Sequence, residues 1–335
     1  MRICMYERHS HLGRVQRLGM FFNNSTIIDV NLVHAIDLEL KGYKNAQARA
    51  DHLTPPSLAK LLNTSERPLD HFADIFYMYE QQMKDGVLKT KNIADSSFDL
   101  KDDKKARLAC PIDEIHCYRD FFTHEKHVKK GFEKRGEPMP EAWYEMPVYY
   151  KGATAGFLGN QDEIMWPNYT DKLDFELELA CVLASDGFNI KAEHAYEHIF
   201  GFTILNDISA RDIQRKEMSV RLGPSKGKDF CSILGPIIVT ADEFDFKDPD
   251  LLMTATINGD EWSRGRSSEA KFSWGEMIEF ASREEWLMAT DLLGSGTVGT
   301  GCGLELDRWI QSGDKIELEI ENIGKLTNFV GYKRN

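Results

Sequence analysis

Apolar and polar positions alternate with period two along several short stretches of the chain, the spacing that sends alternate side chains to opposite faces of a strand. The pattern predicts strands near residues 148–150, 173–183, 202–206, 233–240, 251–258 and 315–321, separated by Gly, Asp, Asn and Pro. Upstream, RVQRLGMFFNNSTIIDV (residues 14–30) reads as strand, Asn-Asn turn, strand. Helical periodicity is scarcer. PLDHFADIFYMYEQQMKDG predicts an amphipathic helix stopped at Gly86, and FSWGEMIEFASREEWLMAT (residues 272–290) predicts another, opened by a capping box of Ser273 and Glu276. Strands that do not alternate with long helices favour a β-roll or barrel over a doubly wound parallel sheet.

One predicted strand departs from the rest. LDFELELACVL, residues 173–183, sets Glu176 and Glu178 on the same side among Phe175, Leu177, Leu179 and Val182. DKIELEIENIG, residues 314–324, spaces Glu317, Glu319 and Glu321 in the same way between Ile316, Leu318 and Ile320, as an amphipathic strand does. Two readings of the Glu176–Glu178 pair therefore stand: the wet face of a half-exposed strand, or two carboxylates with a cation between them.

Composition narrows the class. The 335 residues suffice for two domains, and 42% hydrophobic with 28% charged residues suits a soluble globular protein. No apolar run approaches membrane-spanning length, and MRICMYERHSHLGR is polar too early for a secretory signal. A formal charge of -13 disfavours nucleic acid and anionic membranes as partners. Six cysteines scattered singly, without a C-x-x-C pair, suit a reduced compartment, and a cytoplasmic location is expected. KDDKK, residues 101–105, is the candidate linker.

Three motifs resemble known sites by letter. GSGTVG (294–299) matches a dinucleotide fingerprint but follows a helix instead of a strand. GPSKGKD (223–229) has glycines too close for a phosphate loop, with Asp229 where a magnesium-binding hydroxyl belongs. His194, Glu197 and His198 in HAYEH fit H-x-x-E-H on a helix, which would make a zinc peptidase if a third ligand were found.

A fourth set has more internal support. CYRDFFTHEKHVKKG places Asp120 seven residues before His127, and ILNDISARDIQ puts Asp207 at the end of an apolar run. With Glu176 and Glu178 these are carboxylates without cysteine, a donor set that specifies Mg²⁺, Mn²⁺ or Ca²⁺ better than zinc. Ordinary roles also exist for each: Asp120 as a cap, Asp207 in an Asx turn, His127 at the surface.

NDISARDIQ (206–214), GKDFCSILGPIIVT (227–240) and SGDKIELEIENIGKLTNFV (312–330) together resemble the fumarylacetoacetate hydrolase family, in order and at sensible spacing from about Ala109 onward. The resemblance implies a mainly β, α+β fold: a small N-terminal β-rich domain over 1–108 and a C-terminal mixed β-roll over 109–335 that carries the site, usually in a homodimer. It implies a Mg²⁺ or Ca²⁺ ion on Asp120, Glu176, Glu178 and Asp207, and His127 as the catalytic histidine with Glu305 of GLELDRW as its partner. Lys228 matches a position that contacts substrate, as do Tyr150, Arg211, Gln214 and Thr297. The stretch between Gln214 and Lys228 is one residue longer here than in the animal hydrolase. The implied activity is metal-dependent hydrolysis of a carbon–carbon bond in a small diketo acid, with fumarylacetoacetate of tyrosine catabolism first. His127 would take a proton from water, and Lys228 and Gln214 would donate to the oxyanion. The alternatives are acylpyruvate hydrolysis, or decarboxylation, isomerisation or hydration of a 2-oxo acid. From other classes come the zinc peptidase and a non-catalytic binding protein stabilised by an ion.

Overall fold

The computed structural model describes residues 1–10, 13–86, 96–101, 103 and 106–333. Its centre is a 12-stranded sheet. The main path runs Ser97–Asp99, Thr26–Asp29, Gly13–Phe21, Arg2–Ser10, Ser232–Thr240, Ile199–Asn206, Leu177–Leu183, Leu292–Gly294, Tyr118–Phe121 and Tyr149–Gly152. A second, five-stranded sheet is built from Asp260–Arg266, Leu252–Ile257, Lys315–Ile320, Gly324–Val330 and Glu163–Ile164. The chain is therefore sheet-rich, as its pattern predicts, with the α+β make-up that the resemblance implies.

The two glutamate-bearing strands diverge because their neighbours differ. Lys315–Ile320 buries Ile316, Leu318 and Ile320 and turns Glu319 to solvent, where Lys325 pairs with it at 3.1 Å. Leu177–Leu183 instead lies inside the large sheet, hydrogen-bonded to Ile199–Asn206 on one edge and Leu292–Gly294 on the other. One face, with Leu177, Leu179 and Cys181, packs against Phe202 and Ile204. The other, with Ala180 and Val182, joins Phe200 and Leu205. Every residue of the strand is buried, so Glu178 has no wet face to occupy.

Register then gathers the polar residues. Glu178 stands opposite Leu205, two positions before Asp207. Ala180 pairs with Gly294, Gly294 with Asp120, and Asp120 with Tyr150. Three segments distant in sequence thus deliver acids to one end of the central strands, with Gly294 and Tyr150 beside them.

The helix Pro68–Lys84 stops as predicted, with Gly86 at φ 68 just beyond it. Asp29 caps the helix Val30–Leu40 by accepting from the Leu32 amide. The helix expected over 272–290 is shorter. Trp274–Ser282 is helical and both halves of its capping box form, but Glu284 turns left-handed at φ 54 and Trp286–Leu287 leaves to pair with Gly187–Phe188. Of the expected linker, residues 102, 104 and 105 lie outside the described residues. Around it Ala106–Leu108 pairs with Arg2–Ser10, which in turn pairs with Ser232–Thr240. Among the described residues no helix is long and apolar enough to cross a membrane.

Candidate metal and proton-transfer site

Asp120, Glu176, Glu178 and Asp207 each bring one carboxylate oxygen to within 4.8 Å of the others, and all four residues are buried. Glu176 occupies the break between the strands Leu173–Asp174 and Leu177–Leu183, where its amide donates to Asn206 Oδ1 at 3.1 Å. Four like charges in a dry interior would be prohibitive without compensation.

Compensation is uneven. Lys228 Nζ donates to Glu176 Oε2 at 2.5 Å and to Asp207 Oδ2, and Arg211 Nη2 donates to Glu176 Oε1 at 2.6 Å. Burial would push the Glu176 carboxyl up, but Arg211 and Lys228 hold it well below the usual range. Burial likewise opposes the Lys228 ammonium, and Asp207 and Glu176 outweigh it to raise Lys228 above its ordinary value. Asp120 and Glu178 have no ion-pair partner among the described residues. Burial, then the Asp207 charge, pushes Asp120 well up; burial, then Asp120, does the same to Glu178.

This half of the cluster fits a cation. Asp120 Oδ1 is buried without a hydrogen-bond partner. A Cβ at position 294 would come within 2.4 Å of that oxygen and 3.0 Å of Glu178 Oε2, so Gly294 keeps the space beside them open. The donors are all oxygen, the preference of a hard divalent ion.

The other matched residues face the same acids. Tyr150 donates to Asp207 Oδ2 at 2.7 Å, Thr297 to Glu178 Oε1 at 3.0 Å, and Arg211 Nη1 to Gln214 Oε1 at 2.9 Å. His127, buried on the helix Glu125–Arg135, sets Nδ1 2.7 Å from Glu305 Oε1, and the other oxygen of Glu305 accepts from the Thr300 amide at 2.9 Å. All eleven residues singled out in the sequence thus converge on two adjoining clusters.

Four contributors were not visible in the sequence. Asp174 takes the amides of Gly303 and Leu304, the start of the short helix that carries Glu305, and also Arg211 Nε. Ser232 Oγ lies 3.3 Å from Asp207 Oδ1. Gly294 leaves the space beside Asp120, and Cys302 Sγ lies 3.5 Å from Glu305 Oε1. The one available signal was at Asp174, which extends the period-two spacing of Glu176 and Glu178 by one step.

The alternative zinc motif HAYEH does not form its pair. Ala192–His198 is a 3₁₀ helix, and at three residues per turn positions four apart lie about 120° apart around the axis instead of on one face. His194 is exposed beside Glu193 and Glu197, while His198 Nδ1 meets Ser185 Oγ at 2.9 Å.

Comparison with known proteins identifies the family and the fold. The family model described as fumarylacetoacetate (FAA) hydrolase C-terminal matches residues 116–331. Oxaloacetate tautomerase YisK of Bacillus subtilis is 38% identical over 190 residues, 56% of this chain and 62% of its own length. The fumarylacetoacetate hydrolase structure from Exiguobacterium antarcticum superimposes with a TM-score of 0.67 at 22% identity, covering 98% of this chain and 99% of that one. The fumarylpyruvate hydrolase of Pseudomonas aeruginosa, solved with Mn²⁺ and pyruvate, gives 0.56 at 20% identity over 67% of this chain and 91% of that one. Both structures share the fold. With the family match spanning well over half its length, the chain belongs to the fumarylacetoacetate hydrolase family of enzymes.

Proposed function

We propose that the protein moves a proton at the carbon beside a carbonyl in a small 2-oxo or β-dicarbonyl acid, with keto–enol tautomerisation of an oxaloacetate-like diacid as its first reaction. The observation that carries this reading is the 2.7 Å contact between His127 Nδ1 and Glu305, beside an all-oxygen acid cluster. Glu305 accepts the Nδ1 proton, which leaves Nε2 as the ring atom that takes and returns a substrate proton. As the ring becomes positive, the Glu305 carboxylate stabilises it. A divalent ion held by Asp120, Glu176, Glu178 and Asp207, with Mg²⁺, Mn²⁺ or Ca²⁺ as the proposed species, would supply Lewis-acid stabilisation of an enolate oxygen. Gln214, its carbonyl engaged by Arg211, keeps its amide NH₂ for a substrate carboxylate.

Hydrolysis of fumarylacetoacetate or an acylpyruvate is the second reading. The same His127–Glu305 pair can draw a proton from water, which favours it. Against it, Lys228 is committed to Glu176 and Asp207, which leaves fewer donors for a tetrahedral oxyanion. A homodimer in the cytoplasm, with residues 1–108 as an N-terminal unit that shares the large sheet with the remainder, completes the proposal, and light scattering tests the dimer.

The deciding experiment follows the ultraviolet absorbance of enol-oxaloacetate, a 2,4-dioxo acid and a 3,5-dioxo acid with wild type, His127→Ala and EDTA-treated protein. Faster loss of enol-oxaloacetate, abolished by either treatment, is expected. Cleavage of a dioxo acid without any effect on the enol would replace the first reading with the second.

A further inference from the structure

We propose that His127, Cys302 and Glu305 form a second, softer metal site that takes Zn²⁺ and thereby silences the proton-transfer pair. The silencing rests on the reading of His127 as the base; the site itself does not. His127 Nδ1, Cys302 Sγ and a Glu305 oxygen lie within 4.8 Å of one another. The separations are 2.7 Å from nitrogen to oxygen, 3.5 Å from sulfur to oxygen and 3.9 Å from sulfur to nitrogen. Ligand atoms around tetrahedral zinc, with bonds of about 2.0–2.3 Å, stand about 3.3–3.6 Å apart. Two of the three separations are already close to this, and the third opens once no proton bridges nitrogen and oxygen.

Imidazole, thiolate and carboxylate suit zinc as four carboxylates suit a hard ion, so the two clusters sort cations by chemistry. The ligands are also fixed in place. The Cys302 backbone bridges that of Glu176, the second oxygen of Glu305 is held by Thr300, and His127 stands edge-on to the Phe122 ring at 5.5 Å. Among the described residues no other cysteine belongs to such a group.

The protons balance simply. Zinc displaces the Cys302 thiol proton to solvent and takes the Nδ1 lone pair, so the neutral ring carries its hydrogen on Nε2. That nitrogen then has no lone pair for a substrate proton, and the base is lost while substrate still binds.

The test uses Co²⁺ as a spectroscopic stand-in, added to Mg²⁺-saturated full-length protein. A thiolate-to-cobalt charge-transfer band that saturates at one equivalent and is displaced by Zn²⁺ is expected, and it should vanish in Cys302→Ser. Zn²⁺ should inhibit wild type at least tenfold more potently than Cys302→Ser, each measured against its own uninhibited rate. No band, or a band retained in Cys302→Ser, overturns the site. If that variant does not fold, His127→Gln serves the same arm, with an unchanged band as the overturning result. A band without inhibition supports the site and overturns His127 as the base.

Discussion

Asp174 binds Arg211 Nε at 2.8 Å with the same carboxylate that takes the backbone amides of Gly303 and Leu304 at 2.7 and 3.0 Å. Arg211 continues to Glu176, and Leu304 leads to Glu305, so one fully buried acid ties the carboxylate cluster to the histidine pair. Asp174→Asn removes the charge and one acceptor while keeping the volume. It should lower stability by about 3 kcal/mol, since a buried partner of Arg211 is lost, and slow turnover by roughly 10–100-fold through misplacement of Glu305. Urea unfolding and steady-state rates on the same preparation check both.

Gly294→Ala should damage ion binding before it damages the fold. The added methyl meets Asp120 Oδ1 at 2.4 Å and Glu178 Oε2 at 3.0 Å, and also the Leu205 side chain at 2.9 Å. Relief of such overpacking costs about 1–3 kcal/mol. Titration calorimetry with Mn²⁺ should show an affinity at least tenfold weaker, with circular dichroism unchanged. Equal affinity would mean that the ion lies elsewhere.

Lys228→Met should tighten the divalent ion. Its ammonium neutralises Glu176 and Asp207, and an uncharged side chain leaves both acids seeking a cation. A Mn²⁺ affinity about tenfold higher is expected. An unchanged affinity with turnover about a hundredfold lower would instead make Lys228 a donor to the reacting substrate.

Acid should destabilise the protein in part through His124. The ring is 2% exposed with neither nitrogen hydrogen-bonded, and burial, with help from His127 and Lys126, lowers it from 6.5 to about 3. Below its ordinary value the unfolded chain takes a proton that the folded chain refuses. Stability contributed by the neutral ring is therefore complete above 6.5 and is lost progressively toward about 3. Between about pH 7 and about pH 5 this amounts to about 2 kcal/mol. His124→Asn, which puts a favoured capping residue at the start of Glu125–Arg135 in place of a ring that makes no cap bond, should flatten the melting temperature over that range.

The comparison of Glu176 and Glu178 with Glu317 and Glu319 explains what the sequence could and could not reveal. Locally the two stretches are indistinguishable, and the alternation correctly gives strands for both. Their fates are decided by the neighbours each strand meets in the fold: Leu177–Leu183 acquires a partner strand on each edge and an apolar layer on each face, whereas Glu319 meets solvent and Lys325. Family resemblance singled out eleven residues that lie together in the fold. Asp174 and Cys302 had no motif, and Gly294 stood only in the GSGTVG stretch set aside as a dinucleotide fingerprint, because their importance lies in what they face in the fold. The overlong helix at 272–290 has a similar origin, since nothing in REEW announces the left-handed turn at Glu284 or the pairing of Trp286 with Phe188.

The antiparallel pairing of Arg2 with Val239 and Ile3 with Ile238 bears on any effort to trim or recombine this protein. A fragment beginning near residue 109 would keep Phe157–Leu158 beside Ser232 and Ile233 but would bare the end of Ser232–Thr240, leaving unused amides and carbonyls beside Ile238 and Val239. Such a fragment would recruit copies of itself instead of remaining dispersed. Chimaeras that keep both partners of this seam from one parent should express cleanly, and those that split it should precipitate.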